Sequence, residues 1–236
     1  MRVLITSAAS PWPQELADVL SSSHDVRLTD QTEVRSDLEF VRSDLGHKAS
    51  TNDLVRGMGA IVHSGDVDKT ASVSDQLDFQ MRCSYNLLWA AAEEDVPRFV
   101  YLSSLRLMDK YDEGLAVTER WGSAPGVDVP ALCYHLGEYV CKEFAREGKV
   151  EVVVLRLGEI TANGSPPESS SALYVDDAIQ AIEKALTADL SGWNIFHVQS
   201  AVPNARFLSG QPLWKADEDP PVSLGYTPRR RDVERK

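Results

Sequence analysis

The sequence has few cysteines and no apolar run long enough to cross a membrane. Its three cysteines, Cys83, Cys133 and Cys141, have no CxxC spacing, which is typical of a protein in a reducing compartment. The five histidines show no spacing typical of metal ligands. The amino terminus, MRVLITS, has the pattern of a strand and a turn rather than of a signal sequence. We therefore expect a cytoplasmic protein with no metal site.

Basic residues are also scarce, because 24 Lys and Arg stand against 36 Asp and Glu. A net charge of −12 is unfavourable for binding nucleic acid or an anionic membrane, so neither is expected as a partner. The one basic cluster lies at residues 229–236, and we interpret it as a solvated tail. The hydrophobic fraction of 43% and the charged fraction of 25% are those of an ordinary globular protein.

Short strand patterns alternate with longer helical patterns along the chain. Strands are predicted at residues 2–6, 25–29, 39–42, 60–63, 98–103, 150–157 and 194–198. Helices are predicted at residues 13–22, 50–58, 74–94, 134–146 and 175–186. This alternation predicts an α/β fold, with a parallel sheet covered on both faces and ligands bound at the carboxyl ends of the strands.

The first predicted strand leads into small residues and then into a helical pattern, in LITSAASPWPQELADVL (4–20). Dinucleotide-binding proteins place a glycine-rich loop at such a turn, but this stretch contains no glycine. A helix binds phosphate through its first backbone N–H groups, and Pro11 and Pro13 have none. The same residues also fit a well-formed helix start, with Ser10 as N-cap and Pro11 as the first helical residue.

Five stretches in order resemble motifs of the extended short-chain dehydrogenase/reductase family, the NAD-dependent epimerase/dehydratase group. They are MRVLITSAAS, HDVRLTD, EFVRSDL, RFVYLSS and YHLGE, and LYVDDAIQAIEKAL and LGYTP are similar to the family's C-terminal signatures. Among its members, the uronate dehydrogenases look most similar. The resemblance implies a Rossmann-like doubly wound parallel sheet in residues 1–160. It also implies a small C-terminal substrate-type lobe in residues 161–236, with elements that return to the main domain.

The resemblance implies NAD as the cofactor. In the family the first turn reads TGxxGxxG, and the three glycine positions are Ser7, Ser10 and Pro13 here. A Cβ atom at each position opposes the tight turn and the close approach of pyrophosphate. We therefore expect Trp12 or a proline ring to fill the phosphate space, and NAD to bind no tighter than about millimolar.

Other cofactor positions match the family. The resemblance places Asp30 where an acidic residue binds the adenosine ribose, which favours NAD over NADP. It places Asp44 and Leu45 at a pair that lines the adenine site. From the residues alone, Asp30 is equally an ordinary turn residue, since aspartate is common after strands.

The resemblance also implies a catalytic set of a serine or threonine, a tyrosine, and a lysine four residues after the tyrosine. The matching residues are Ser104, Tyr134 and Glu138. The family lysine lowers the pKa of the tyrosine, and a glutamate reverses the sign of that charge. Two charges about 4 Å apart interact by ~4 kcal/mol at an effective dielectric near 20, so Tyr134 is expected to stay a neutral phenol. From the residues alone, Tyr134 is equally an ordinary aromatic residue at the start of a helix, and Ser104 an ordinary serine at the end of a strand.

Departures at two independent sites favour a family member that has lost or sharply reduced its redox chemistry. Such a pseudoenzyme would act as a ligand-binding or regulatory homologue for a sugar-type or nucleotide ligand. The alternative is an active NAD-dependent oxidoreductase or epimerase on a sugar, a uronic acid or a nucleotide sugar. A third hypothesis is a structural partner subunit.

The predicted helices at 74–94 and 134–146 carry more apolar residues than one core can bury. The residues concerned are Phe79, Leu87, Trp89, Tyr139, Val140 and Phe144. Two helices with surplus apolar surface are typical of an interface, and family members pair through these helices, so we expect a homodimer.

Overall fold

The computed structural model describes residues 1–64, 71–207 and 223–229. Its strands are β1 (Arg2–Ile5), β2 (Asp25–Asp30), β3 (Glu39–Arg42), β4 (Ala60–Ser64), β5 (Arg98–Ser104), β6 (Glu151–Leu157), β7 (Glu159–Thr161), β8 (Ala172–Tyr174) and β9 (Trp193–Val198). Seven of them form one parallel sheet in the order β3-β2-β1-β4-β5-β6-β9, while β7 pairs with β8. The predicted α/β fold with a doubly wound parallel sheet is confirmed.

Helices cover both faces of this sheet. They are α1 (Pro11–Leu20), α2 (Ala49–Val55), α3 (Val73–Asp78), α4 (Ser84–Glu93), α5 (Val129–Arg146) and α6 (Val175–Thr187). Alternate residues of a strand point to opposite faces, so Val3 and Ile5 pack with α1 and α6, and Leu4 packs with α2, α4 and α5. The two resulting cores hold the sheet in place and leave the carboxyl ends of its strands open for a site.

Two helices differ from their predicted bounds. Helix α5 begins at Val129 rather than Tyr134, because the Asp128 carboxylate accepts the N–H of Ala131 at 3.2 Å and Pro130 fits the first turn. The single long helix expected at 74–94 is divided by a π-helical turn at Phe79–Cys83. Such turns are rare and often occur at functional sites.

The surplus of apolar surface is smaller than predicted on the segment 74–94. Leu87 is fully buried, and Phe79 is partly buried against the core. Trp89 is exposed as expected, and Tyr85 stacks on it with ring centroids 6.1 Å apart. On α5, Tyr139 is 62% exposed.

The strand order reverses between β1 and β4, since the chain passes from β1 to β2 on one side and later to β4 on the other. Parallel sheets of this kind bind ligands at this point, beyond the carboxyl ends of the strands. The division at residue 160 stays a prediction, and the chain beyond it supplies β9 to the edge of the main sheet and α6 to one face.

Of the basic cluster, Arg229 belongs to the described residues, and residues 230–236 lie outside them. The N–H of Arg229 donates to Asp177 at 3.1 Å and its guanidinium lies 3.0 Å from Asp176. None of the helices in the described ranges has both the length and the apolar character needed to cross a bilayer. Within the same ranges, no group of three or more potential metal ligands is found.

Candidate functional site: two cavities at the carboxyl edge of the sheet

A cavity of about 520 Å³ opens at the reversal of strand order, and we call it the first cavity. Its walls come from the β1–α1 turn, the ends of β2 and β3, and the segment from Ala71 to Arg82. Four of the five predicted cofactor residues line it, namely Ser7, Ser10, Asp30 and Leu45. The fifth, Asp44, lines an adjoining cavity of about 400 Å³, where its carboxylate lies 2.8 Å from Lys48. The hydrogen bond from Lys48 lowers the pKa of Asp44.

The β1–α1 turn keeps a glycine-like shape without glycine. Ser7 has a φ of 56°, in the left-handed region that glycine adopts at less cost. The N–H groups of the next three residues are all bound within the protein. Ala8 donates to the carbonyl of Thr29 at 3.3 Å, and Ser10 donates to the carbonyl of Ser7 at 3.2 Å. Ala9 donates to the carboxylate of Asp30 at 3.0 Å.

This pattern leaves few donors for a ligand phosphate. Pro11 and Pro13 have no N–H, so among residues 8–13 only Trp12 keeps an amide that these contacts do not use. Trp12 does not line the first cavity and instead lines the other one described below, while the expectation that Trp12 or a proline ring fills the phosphate space stays a prediction. The turn therefore departs from a phosphate site through its donors.

The charged residues on the walls of the first cavity are mostly acidic. They are Asp30, Asp75, Asp78 and Arg82, which sum to −2 over the described residues. The guanidinium of Arg82 is already paired with Asp78, at 2.9 Å. Among the described lining residues, the side chains that a pyrophosphate in this cavity would meet are mainly carboxylates and hydroxyls.

Beneath the first cavity, a buried histidine joins three elements. His63 on β4 contacts Thr6 Oγ1 at 2.9 Å and Ser84 Oγ at 3.0 Å. Burial lowers the pKa of His63 to about 4, so the ring is neutral at neutral pH. Because Thr6 lines the first cavity, this chain of bonds fixes part of its floor to β4 and α4.

A second cavity, of about 650 Å³, contains two of the predicted catalytic residues. Ser104 at the end of β5 and Tyr134 in α5 both line it, as does Trp12. The Ser104 hydroxyl accepts the N–H of Arg106 at 3.2 Å. The structure thus brings Ser104 and Tyr134 to one site. The start of α1 contributes to both cavities, since its N-cap Ser10 lines the first and Trp12 lines the second.

The second cavity also contains residues that no sequence pattern indicated. Arg206 reaches it from a part of the chain far from β5, and its side chain is 12% exposed. Its guanidinium donates to the carbonyl of Tyr111 at 2.5 Å and lies 3.6 Å from Asp109. These residues are about a hundred positions apart in sequence, so local patterns carry no sign of their contact.

Glu138 lies outside the walls of the second cavity and is 5% exposed. Both of its carboxylate oxygens bind Arg156, at 2.9 Å from Nε and 2.8 Å from Nη2. Ser103 Oγ donates to the same carboxylate at 2.6 Å. Ser103 of β5 and Arg156 of β6 lie side by side in the sheet, so both can contact Glu138 of α5.

This ion pair corrects the electrostatic argument made from the sequence. Glu138 is one helical turn from Tyr134, as expected, but its charge is compensated by Arg156 rather than directed at the tyrosine. The neighbouring Gly137 allows α5 to lie close to β5, since a Cβ atom at this position would lie 2.0 Å from the hydroxyl of Tyr101. The position of the family lysine is therefore occupied by a group that joins α5 to the sheet.

Known proteins resemble this chain over most of its length. The model of the "NAD dependent epimerase/dehydratase family" matches residues 14–185, a match that begins just after the β1–α1 turn. A uronate dehydrogenase of Pseudomonas putida is 25% identical over 238 residues, which cover 97% of this chain and 84% of that protein. A uronate dehydrogenase of Agrobacterium fabrum is 27% identical over 164 residues, which cover 65% of this chain and 58% of that protein.

Solved structures show the same fold. A glucuronic acid dehydrogenase from Chromohalobacter salexigens superposes with a TM-score of 0.81 at 24% identity, covering 97% of this chain and 84% of the other. A variant of the uronate dehydrogenase from Agrobacterium tumefaciens, complexed with NAD, gives 0.82 at 22% identity, with the same coverage. The Rossmann-like architecture derived from the strand order agrees with both.

Proposed function

Because the chain belongs to the NAD-dependent epimerase/dehydratase family, we propose that it is a ligand-binding member without the family's hydride transfer. In such a member the two cavities would still bind small molecules, of the nucleotide or sugar type. The proposal combines a retained fold with the altered chemistry of the β1–α1 turn and of position 138.

The pairing of Glu138 with Arg156 carries this proposal. In the family, a lysine at this position holds the cofactor ribose and supports the tyrosine as an acid or base. Here the side chain is buried, carries the opposite charge and has its oxygens bound by Arg156 and Ser103. Tyr134 thus has no cation from this position to stabilise its ionised form, and general acid–base help of that kind is worth about 10²–10⁴-fold in rate.

The fit of NAD to the first cavity differs between its two ends. NAD, where it is bound, supplies the hydride acceptor of the family reaction. At the adenosine end, Asp30 and Leu45 fit the ribose and the base. At the pyrophosphate end the fit is poor, because Pro11 and Pro13 have no N–H and Ala8, Ala9 and Ser10 use theirs within the protein. Weak binding of NAD follows from this difference.

The alternative function is an active NAD-dependent oxidoreductase or epimerase on a sugar, a uronic acid or a nucleotide sugar. Ser104 and Tyr134 favour it, since both line the second cavity. Similar proteins are named uronate dehydrogenases, and one similar structure is titled as a complex with UDP-glucuronic acid and NAD. Activity would then need a route that does not depend on a lysine at position 138.

A direct assay separates the two functions. The purified protein is incubated with NAD and with galacturonate, glucuronate or a nucleotide sugar, and the formation of NADH is followed by absorbance. We expect no rate above that of the protein-free control. Turnover at the 1–10³ s⁻¹ typical of enzymes would overturn the proposal in favour of the alternative.

We also propose a homodimer in the cytoplasm. Trp89, Tyr85 and Tyr139 are 40%, 43% and 62% exposed on α4 and α5, which gives these helices an aromatic surface suited to a second copy. The three cysteines are free and buried, which fits a reducing compartment. Light scattering at micromolar concentration tests the dimer, and a monomeric mass would reject it.

A further inference from the structure

We propose that the first cavity binds an uncharged nucleoside, a riboside without a 5′-phosphate, in preference to a nucleotide. The inference rests on the proposed function, because it names the ligand class of the same cavity. It depends on a contrast between the walls near Asp30 and the walls formed by the β1–α1 turn and α3.

The wall around Asp30 is suited to a ribose. Its carboxylate is held in place by two backbone donors, the N–H of Ala9 at 3.0 Å on Oδ2 and the N–H of Thr32 at 2.8 Å on Oδ1. Each carboxylate oxygen can accept a further hydrogen bond, so two sites remain for the adjacent hydroxyls of a ribose. The contact needs hydroxyl donors and no charge on the ligand.

Apolar groups for a base stand in the same cavity. Leu45 is 5% exposed and lines it from the segment after β3, and Phe79 lines it from the π-helical turn. The aromatic ring of Phe79 and the aliphatic side chain of Leu45 can bind an aromatic base by contact and by the release of water. A cavity of about 520 Å³ is within the range of small-molecule sites.

The walls formed by the β1–α1 turn and by residues 75–82 disfavour phosphate. A 5′-phosphate carries a charge near −2 at neutral pH and needs N–H groups or cations around its oxygens. The β1–α1 turn has used or lost nearly all of its amides, and Arg82 is paired with Asp78. Asp75 adds a further carboxylate to the lining. Among the described lining residues, a phosphate therefore finds few donors to replace the water that it loses.

The ligand series adenosine, AMP and ADP tests the inference by calorimetry at low ionic strength. We expect adenosine to bind at least tenfold more tightly than ADP, with AMP between them. Asp78→Asn releases Arg82 and should narrow this gap severalfold, as should Asp75→Asn to a smaller extent. Asp18→Asn is the matched control, since Asp18 is exposed on the far half of α1 and the gap should stay unchanged.

Two results would overturn the inference. One is an affinity that rises from adenosine to ADP, which would mean that the turn does bind phosphate. The other is a gap that Asp18→Asn narrows as much as Asp78→Asn, which would assign the effect to the overall charge of −12. Because none of these measurements involves turnover, either result can occur while the protein still fails to reduce NAD, and the inference then fails without the proposed function.

Discussion

The two cavities have departed from the family pattern in different ways. The first has Ser7 of the β1–α1 turn in a left-handed conformation, but residues 8–13 of this turn have few free N–H groups. The second has the predicted catalytic residues Ser104 and Tyr134 together on its wall, but Glu138 stands at the position predicted to match the family lysine. The first cavity thus lacks hydrogen-bond donors at its turn, and the second lacks a cation at position 138.

Both departures are tied to the structure of the protein. Pro11 belongs to the first turn of α1, and Pro13 is buried in the same helix. Glu138 joins α5 to β6 through Arg156. Restoring a family residue therefore disturbs a structural contact, and Glu138→Lys would place two cations face to face in a buried site.

The largest expected effect is the loss of the buried pair. Glu138→Ala leaves the guanidinium of Arg156, which is 3% exposed, without its carboxylate. Breaking one side of such a pair costs about 3–5 kcal/mol of unfolding free energy. Urea denaturation measures this change.

Glu143→Ala is the matched control on the same helix, because its partner Arg146 is 69% exposed. Exposed pairs contribute about 0–1 kcal/mol, so this change should be small. Equal effects of the two substitutions would mean that Glu138 does not have the structural role assigned to it.

The free energy of unfolding is expected to fall in acid because of two buried histidines. Burial lowers the pKa of His63 to about 4 and, with help from the charge of Arg156, that of His197 to about 3. An unfolded histidine has a pKa near 6.5, so the unfolded state binds more protons as the pH falls below that value. Stability should decrease from about pH 6.5 toward pH 4, by roughly 2 kcal/mol per histidine at pH 5.

Thermal unfolding across this pH range checks the prediction. His63→Asn should make the thermal stability depend less on pH. His47→Asn, at an exposed position, should leave this dependence unchanged. A slope that His63→Asn does not alter would show that the proton is bound elsewhere.

A smaller effect is expected from returning amides to the first cavity. Pro11→Ala together with Pro13→Ala restores two N–H groups, and a hydrogen bond to a charged group is worth about 1.5–3 kcal/mol. The affinity for NAD should rise by roughly tenfold or more. Pro130→Ala is the control, because Pro130 occupies the first turn of α5 and lines the second cavity. If NAD affinity stays constant in the double variant, the missing amides are not the reason for weak binding.

The fold could be predicted from the sequence because its signals are local. Strands such as VEVVVLRL and helices such as VDDAIQAIEKAL carry their own periodicity, and the parallel sheet follows from their alternation. The bounds of α5 could not be predicted from the sequence, because a proline such as Pro130 is as typical of a loop as of a helix start.

The candidate site could be predicted only in part. Ser104, Tyr134 and Asp30 follow strand ends or start a helical pattern, so their places could be inferred. The pairing of Glu138 with Arg156 depends on the register of β5 against β6, and that of Arg206 with Asp109 on a contact across the fold. Neither register nor contact is a property of a short stretch.

The affinity of the unaltered protein for NAD decides whether the β1–α1 turn has lost its phosphate site. Calorimetry with NAD at neutral pH measures whether the β1–α1 turn still binds a pyrophosphate. We predict a dissociation constant no tighter than about millimolar. A low-micromolar constant would contradict the account, since the first cavity would then bind the cofactor despite its missing donors.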